Sequence, residues 1–442
     1  MTTTQSEQSL PLPPGNLGLP LLGETLDFFR DPDFQTKRRK KYGDIFKTHI
    51  FGRPTVVMTG AEANQFLFRN ENKYVRSTWP KSTRTLLGSN ALAVQSGNIH
   101  TSRRKLLFQA FQPRALASYI PTIEKITDSY LENWEKQVNF TWYPELRNYT
   151  FDVAGTIFVG TENVSETNLR QLFEQWGQGL FSLPINLPWT RFGKSLRCRQ
   201  QILNSLEEII KARQGQNALG NDALGILLQA KDEEGNSFSI AELKDQILTL
   251  LFAGHETLTS SVTSFCLLMA QHPEVMEKVR QEQGKFGKSS PLTMEELQQM
   301  PYLDQVLKEV LRFIPPVGGG FREVIKSFEF QDYRFPKGWA IQYQILNTHK
   351  DGSIYQDYQK FNPDRFAPGR EEDKKKMFGY IPFGGGMREC LGKEFARLEM
   401  KVLAAKLARN YQWELLPDQD SSLVTFPVPK PHDGLKVKFS RC

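Results

Sequence analysis

The sequence predicts a mainly α-helical fold with a minor β region, and three patterns support this class. Apolar residues recur at helical spacing over most of 61–299, with short turn-forming stretches between the periodic segments. Alternating apolar and polar residues, which indicate strands, are confined to 44–60, 328–346 and 435–439. Strands and helices do not alternate regularly, so a parallel nucleotide-binding sheet is not indicated.

We expect one domain over residues 1–442. The length allows two or three domains, but nothing that resembles a flexible linker divides the chain. Residues 1–23 should form an extended N-terminal segment, because its second half is rich in proline and glycine and cannot be helical. A small β lobe is expected from about 44–60, where a Gly-Arg-Pro turn predicts a hairpin, together with 328–346 and the C-terminal strands.

The most strongly predicted helix is 239–271. Ser239 and Glu242 have the spacing of a capping box, and His272-Pro273 supplies the stop. At about 1.5 Å per residue this helix is about 50 Å long, enough to cross the molecule. Its many Leu, Phe and Val residues indicate a central position.

Composition indicates a globular protein with a large apolar interior or pocket, since 39% of its residues are hydrophobic and 31 are Phe. The four cysteines lie far apart and form no CxxC or His/Cys cluster, which argues against a disulfide framework and a zinc site. A reducing compartment fits this usage, so we expect a cytoplasmic protein. No apolar stretch reaches the ~18 residues of a membrane span, so no transmembrane anchor is expected, although loose membrane association stays open.

The net charge of +7 includes a basic run at 37–41. This run can face an acidic partner or anionic lipid, and the alternative is a solvated helix face. Neither interleaved aromatic residues nor a recognised binding module accompany it, so nucleic-acid binding is not expected.

A glycine-rich run, 383–392, contains Cys390 and is followed by a predicted helix at 391–409. Its three successive glycines let the backbone approach a flat ring system closely. The first amides of the helix can stabilise a thiolate and lower its pKa, and Arg388 can reach a propionate. The pattern indicates a haem-thiolate loop, and the alternative is a buried, unreactive thiol beside an ordinary loop.

A second motif, Ala253-Gly254-His255-Glu256-Thr257, lies in the middle of the long helix. Glycine costs about 1 kcal/mol relative to alanine in a helix interior, so its presence at position 254 indicates a functional or packing requirement. The pair Ala253-Gly254 offers a surface against which a flat ring system can lie. The Thr257 hydroxyl can bond to the carbonyl four residues back and face a bound ligand, while Glu256 can relay protons. The alternative is a plain buried helix with an accidental glycine.

A third motif places Glu309 and Arg312 on one helix face, and the non-helical segment 361–366 supplies Arg365. An interior network of these three residues would lock the segment that leads to Cys390. The alternative is a surface pair, which contributes little.

A fourth motif places His100 and Arg104 at i and i+4 ahead of an apolar helical stretch. Both side chains can bind carboxylates such as propionates. The alternative is the solvated basic start of a helix.

Taken in order, these motifs resemble the cytochrome P-450 family over nearly the whole chain. The resemblance implies the cytochrome P-450 fold, with a long central helix over the haem and the Cys390 loop on its proximal side. It implies haem b, iron protoporphyrin IX, with Cys390 as the axial thiolate and sole metal ligand. The implied cofactor contacts are His100, Arg104, Ala253, Gly254, Arg322, Phe383, Arg388 and Cys390. His100 stands where many members carry Trp, and an imidazole at this position can still contact a propionate.

The resemblance also implies the reaction, insertion of one oxygen atom of O₂ into a C–H bond of a lipophilic substrate. Glu256 and Thr257 would manage protons, and Glu309, Arg312 and Arg365 would form the structural network. The chain has no flavin or nicotinamide fingerprint, so two electrons must come from a separate donor, for which a ferredoxin with its reductase suits the basic surface. A monomer is expected.

Several segments, including 78–88, 315–322 and 335–339, resemble the animal retinoic acid hydroxylases, which implies a retinoid-like substrate such as retinoic acid. The polar start before the proline-rich segment is typical of soluble bacterial members. The implied substrate contacts are Trp79, Phe181, Phe252, Val317 and Gly318, and the alternative for each is ordinary core packing.

Two other functions remain as alternatives. A haem-thiolate isomerase or peroxygenase would dispense with O₂ activation, and the intact Glu256-Thr257 pair argues against it. A non-catalytic lipid-binding haem sensor would bind ligand without turnover, but the chain carries no effector domain.

Overall fold

The structure is a computed structural model that describes residues 10–19, 23–31, 33–287 and 290–442. It confirms the mainly α fold with small sheets. The helices are α1 (Thr25–Arg30), α2 (Phe34–Tyr42), α3 (Ala61–Arg69), α4 (Lys81–Leu87), α5 (Gly97–Phe108), α6 (Pro113–Gln137), α7 (Trp142–Phe158), α8 (Asn168–Gly177), α9 (Arg191–Gln214), α10 (Ala223–Gln229), α11 (Ile240–Gln271), α12 (Pro273–Gln283), α13 (Met294–Gln298), α14 (Pro301–Phe313), α15 (Ile345–Thr348) and α16 (Lys393–Asn410). The strands are β1 (Ile45–Ile50), β2 (Arg53–Thr59), β3 (Val75–Ser77), β4 (Asn139–Thr141), β5 (Gly319–Val324), β6 (Phe328–Phe330), β7 (Tyr333–Phe335), β8 (Ala340–Gln344), β9 (Tyr411–Leu415), β10 (Leu423–Val424), β11 (Lys430–Pro431) and β12 (Lys436–Arg441).

The first of two compact units consists of Met1–Trp79, Gly318–Gln356 and Asp373–Glu389. Its main sheet has the strand order β1-β2-β8-β5-β3. The predicted hairpin is confirmed, because β1 and β2 pair antiparallel from Ile45 opposite Met58 to Ile50 opposite Arg53. Strands β2 and β8 run parallel, and β5 pairs antiparallel with both β8 and β3.

The N-terminal segment lies along this unit in the described residues 10–19. The carbonyl of Pro14 accepts from the Lys47 amide at 2.7 Å, and the carbonyl of Pro11 accepts from the Arg334 amide at 3.0 Å. Residues 1–9 and 20–22 of the predicted extended segment lie outside the described residues. Proline suits this position because it lacks an N–H yet keeps a carbonyl that can pair with a neighbouring strand.

The basic run at 37–41 lies in α2 of the same unit. Its Lys37 pairs with Asp31 at 2.8 Å, Arg39 pairs with Asp44 at 2.5 Å, and Arg38 pairs with Glu24. Three of the five cations therefore have carboxylate partners within their own unit, as on an ordinary helix surface.

The second unit consists of Pro80–Val317, Asp357–Glu372 and Cys390–Cys442. Its longest helix, α11, has 32 residues and begins with the predicted capping box. Ser239 Oγ accepts from the Glu242 amide at 3.2 Å, and the Ser239 amide donates to the Glu242 carboxylate at 2.9 Å. The helix ends at Gln271, before the predicted His272-Pro273 stop. Helices α7, α9, α14 and α16 pack against it, which explains its apolar composition.

The C-terminal strands differ from the expectation that they join the small β lobe. Strand β12 pairs with β4 and β9 in a separate three-stranded sheet of the second unit. The physical reason is an aromatic cluster, since Phe439 of β12 packs at ring-centroid distances of 5.6 Å on Phe140 and on Trp142. Burial of these rings favours pairing at this place.

None of the helices in the described part of the chain combines the length and the apolar character that a membrane span requires.

Candidate active site

The glycine loop before Cys390 takes its backbone conformation from packing within the first unit. Gly384 and Gly386 have φ values of +71° and +66°, which side chains rarely adopt. A Cβ at Gly385 would lie 2.6 Å from the Phe68 ring, and one at Gly386 would lie 2.8 Å from the Phe68 carbonyl oxygen. Close packing on Phe68 of α3 therefore requires these glycines, a reason that sequence reasoning missed when it assigned them only to a flat cofactor.

The same loop carries Arg388, which the structure brings together with Arg322 of β5 through a shared carboxylate. Arg322 Nε lies 2.7 Å from Glu71 Oε2, and Arg388 Nε lies 3.2 Å from Glu71 Oε1. Glu71 Oε1 also accepts from the Ser77 amide at 2.8 Å. Because all three charged side chains are nearly buried, Glu71 holds both guanidinium planes in place. Sequence reasoning missed Glu71, which no local motif marks. Phe383 lies at the start of this loop.

Cys390 has an exposed thiol, in contrast to the buried Cys198 and Cys266. The alternative of a buried, unreactive thiol therefore does not describe Cys390. The helix that follows begins at Lys393 with Gly392 as its N-cap residue, two residues later than the predicted start. Burial raises the pKa of the Cys266 thiol far above its ordinary value, so that thiol stays protonated.

The middle of α11 shows the predicted Thr257 geometry, because its Oγ1 donates to the Ala253 carbonyl oxygen at 2.6 Å. Ala253 is exposed, although most of this helix is buried. Gly254 has a further role, since a Cβ there would lie 3.0 Å from the Phe158 ring of α7. The missing side chain thus makes room for α7, which the sequence motif does not reveal.

The Glu256 carboxylate is held by a chain of charges on α7 and α8. Its Oε1 accepts from Arg147 Nη2 at 2.7 Å, and Arg147 Nη1 lies 3.3 Å from Glu174, which also pairs with Arg170 at 3.2 Å. Burial raises the pKa of Glu256, but attraction to protonated His255 and to Arg147 outweighs burial and leaves that pKa below its ordinary value. Because burial lowers the pKa of His255 to about 4, Arg147 supplies the positive charge near neutral pH. Sequence reasoning missed Arg147.

The structure brings Glu309, Arg312 and Arg365 together in a fully buried network. Arg312 Nε donates to Glu309 Oε2 at 2.6 Å, and Arg365 Nε donates to Glu309 Oε1 at 3.0 Å. Glu372, which sequence reasoning missed, accepts from Arg365 Nη1 at 2.6 Å. Two buried carboxylates therefore face the two buried guanidiniums, and Glu372 also pairs with the partly exposed Arg370 at 2.9 Å.

His100 and Arg104 both lie on α5, where His100 is buried, so the predicted helix and the i, i+4 spacing are confirmed. Among the expected substrate residues, Phe252 contacts Trp176 with ring centroids 5.7 Å apart, and Phe181 contacts Phe426 at 5.4 Å. Val317 is the last residue of a segment of the second unit, whereas Trp79 and Gly318 belong to the first unit.

A family profile described as cytochrome P-450 matches residues 13–439. The chain therefore belongs to the cytochrome P-450 family, and it is a haem-thiolate monooxygenase that needs O₂, a substrate and electrons from a redox partner. The exposed Cys390 thiol ahead of α16, with Arg388 two residues before it, fits the donor chemistry of a thiolate-bound haem.

Two similar sequences and one solved structure show which members of the family this chain resembles. The putative cytochrome P-450 120 of Synechocystis sp. is 56% identical over 439 residues, which cover 99% of each chain. Cytochrome P-450 26B1 of Xenopus tropicalis is 39% identical over 453 residues, covering 99% of this chain and 88% of the relative. The solved structure of a retinoic-acid-bound cyanobacterial CYP120A1 matches with a TM-score of 0.95 and 56% identity, covering 98% of this chain and 100% of that one. The expected resemblance to the cytochrome P-450 family is confirmed.

Proposed function

We propose that this monooxygenase hydroxylates a retinoid, such as retinoic acid. The observation that carries the proposal is the likeness, at 56% identity over 98% of the chain, to a cyanobacterial structure with retinoic acid bound. The sequence segments that resemble retinoic acid hydroxylases support the same substrate class. Isomerase, peroxygenase and sensor functions gain no support from these relatives.

The cofactor is proposed to be haem b, held by residues of the matched motifs. When bound, the haem activates O₂ and accepts the two electrons. Cys390 would ligate the iron. Arg322 and Arg388, oriented by Glu71, would bind propionates. His100 and Arg104 would bind propionates from α5, while Phe383, Ala253 and Gly254 would lie near the macrocycle.

Thr257 and Glu256 are proposed to handle protons. The single Thr257 hydroxyl proton is used in the bond to Ala253, so the lone pairs of Oγ1 remain to accept a hydrogen bond from a ligand or water. Arg147 Nη2 donates to Oε1 of the Glu256 carboxylate at 2.7 Å. A carboxylate fixed in this way can receive a proton from solvent and pass it on.

The substrate is proposed to contact Trp79, Phe181, Phe252, Val317 and Gly318. Aromatic and small apolar residues suit a long polyene, because they offer contact area with few polar atoms that would need partners. The role proposed for Glu309, Arg312 and Arg365 is to stabilise the fold, since all three side chains are buried away from solvent.

The electron donor is proposed to be a ferredoxin with its reductase, because an acidic protein suits a chain of net charge +7. We further propose a monomer that works as a single domain. A cytoplasmic location is supported by the wide spacing of the four cysteines, which indicates no disulfide framework and suits a reducing compartment.

The first test is a titration of the purified ferric protein with all-trans-retinoic acid, followed by visible absorption. Retinoic acid should cause a saturable low-spin to high-spin shift. Palmitic acid, a carboxylate that lacks the ring and the polyene chain, should cause a smaller shift. With ferredoxin, its reductase and O₂, the product should be heavier by one oxygen atom. Absence of both the shift and the product would overturn the retinoid proposal.

A matched pair of variants tests the cofactor assignment. Cys390→Ser should abolish the thiolate-type haem spectrum, while Cys442→Ser, which removes another exposed thiol, should leave it intact. A thiolate-type spectrum that survives Cys390→Ser would exclude Cys390 as the ligand.

A further inference from the structure

His255 lies between the active-site residues Gly254 and Glu256, yet the proposed chemistry gives it no part. Its side chain is only 3% exposed. The ring meets Phe151 of α7 and Phe173 of α8 edge-on, at centroid distances of 5.1 and 5.9 Å. A polar ring that is buried among aromatic rings needs hydrogen-bond partners for its nitrogens.

The Nδ1 atom of His255 has such a partner in Thr150 of α7, at 2.9 Å. Thr150 Oγ1 also lies 3.0 Å from the Leu146 carbonyl oxygen and 2.7 Å from Thr259 Oγ1. Thr259 Oγ1 in turn lies 2.9 Å from the His255 carbonyl oxygen. Thr150 Oγ1 also has a longer alternative acceptor, the Arg147 carbonyl oxygen at 3.4 Å. Two hydroxyl protons are thus available for the four shorter contacts.

Counting protons decides which ring nitrogen carries hydrogen. If Nδ1 is protonated, it donates to Thr150, and the two hydroxyls can each donate once more, which satisfies three of the four contacts. If Nε2 is protonated instead, only the two hydroxyl protons remain, and two contacts are satisfied. Within this hydroxyl cluster the count favours a neutral ring with hydrogen on Nδ1 and a lone pair on Nε2, whereas the ionised Glu256 at 3.8 Å from Nε2 acts in the opposite direction.

The ring stays neutral near pH 7. Burial lowers the pKa of His255 to about 4, although the Glu256 charge acts in the opposite direction and Arg147 and Arg170 add to the lowering. Its Nε2 is therefore an acceptor under working conditions.

This acceptor faces Glu256, whose Oε1 lies 3.8 Å from Nε2. The gap is too long for a hydrogen bond, but a side-chain shift of about 1 Å would close it. On its other side the same oxygen accepts from Arg147 at 2.7 Å. Glu256 thus lies between a cation, which favours its ionised form, and an acceptor, which favours its protonated form.

We propose that His255 is a positioning residue for proton transfer at Glu256, with Nε2 accepting a hydrogen bond from the protonated carboxyl and Arg147 holding the ionised one. Glu256 then keeps a partner in both states, so taking up and releasing a proton leaves neither form without a hydrogen bond in a partly buried site. No proton passes to the ring. The inference rests on the proposed function, because it extends the part given to Glu256.

Two amide variants separate this role from a structural one. In His255→Asn, the amide occupies the place of Nδ1 and keeps the bond to Thr150 but lacks an acceptor at the place of Nε2. In His255→Gln, the amide oxygen reaches the place of Nε2 and the bond to Thr150 is lost. A purely structural histidine predicts that Asn is the better replacement, whereas the proposal predicts Gln.

The measurement is product formed per electron consumed by the holoenzyme, together with the solvent deuterium isotope effect on product formation. His255→Asn should lower the coupling about tenfold and raise the isotope effect, and His255→Gln should retain most of the wild-type coupling. The opposite order, equal losses or no loss would overturn the proposal.

A second measurement requires neither turnover nor substrate. In the diamagnetic ferrous carbon monoxide form, nitrogen-15 NMR of labelled histidine identifies His255 as the signal that His255→Asn removes. The proposal requires a neutral ring with hydrogen on Nδ1 at pH 7, and hydrogen on Nε2 would overturn it. If the wild-type protein forms no hydroxylated retinoid, the proposed function fails, while this spectrum still tests His255.

Discussion

Replacement of Glu309 by Gln is the most informative perturbation of the buried network. The Glu309 side chain is 0% exposed, and it accepts from Arg312 at 2.6 Å, from Arg365 at 3.0 Å and from the Asn362 amide at 2.9 Å. An amide keeps the shape but removes the charge and turns one acceptor into a donor. That donor then faces a guanidinium, which has no acceptor to offer.

The magnitude follows from the charge left behind. Glu309→Gln removes the carboxylate that both buried guanidiniums share, while Arg365 keeps its pair with Glu372. Breaking a buried pair by removing one partner costs about 3–5 kcal/mol, a large share of the 5–15 kcal/mol that is typical of folded proteins. An unfolding entropy of about 2.1 cal/mol/K per residue amounts to about 0.9 kcal/mol/K for 442 residues, so Tm should fall by about 3–5 °C.

The matched control is Asp357→Asn. Asp357 and Lys360 form another carboxylate–cation pair at i, i+3, but their side chains are 64% and 77% exposed. Solvent already screens this pair, so its loss should leave Tm unchanged. Asparagine also tolerates the positive φ of +49° at this position.

The assay is thermal unfolding of both holoenzyme variants, followed by far-UV circular dichroism and by loss of the haem band. Equal Tm values for Glu309→Gln and Asp357→Asn would refute the reasoning, because burial is the main difference between the two pairs. A lower Tm for the Glu309 variant alone would support it.

Three further predictions concern α11 and its surroundings. Thr257→Ala should lower the amount of product formed per electron consumed. The control Thr249→Ala loses an equivalent bond to the carbonyl four residues back, at 2.7 Å, and should leave this yield unchanged. Equal yields for the two variants would exclude the proton role of Thr257. Gly254→Val should lower Tm because its Cβ would press on an α7 ring at 3.0 Å, an overpacking cost of about 1–3 kcal/mol, while Gly177→Val, which meets open space, should be tolerated. Folding lowers the pKa of His255 from 6.5 to about 4. Between these two pH values the folded protein binds fewer protons than the unfolded chain, so the wild-type protein should lose stability as the pH falls from 6.5 to about 4. Urea unfolding at several pH values should show a smaller loss for His255→Gln, and parallel curves would contradict the buried neutral ring.

Local interactions made much of the fold readable from the sequence. The capping box of α11, its stop at His272 and the back-bond of Thr257 all join groups within four residues of one another. The hairpin of β1 and β2 depends on a short turn in the same way. Strand β5 was missed, because its glycines are poor strand formers and it becomes a strand only by pairing with β3 and β8.

The mainly α class, the long helix and the motifs around Thr257 and Cys390 could be predicted from the sequence, since each is a pattern of neighbouring residues. The distant side chains that complete these motifs became visible only in the folded chain. Glu71 joins Arg322 and Arg388, and Arg147 holds Glu256, from parts of the chain with no motif of their own. A buried charge needs a partner, but any distant residue of the right type can supply it, so folding alone selects which one does.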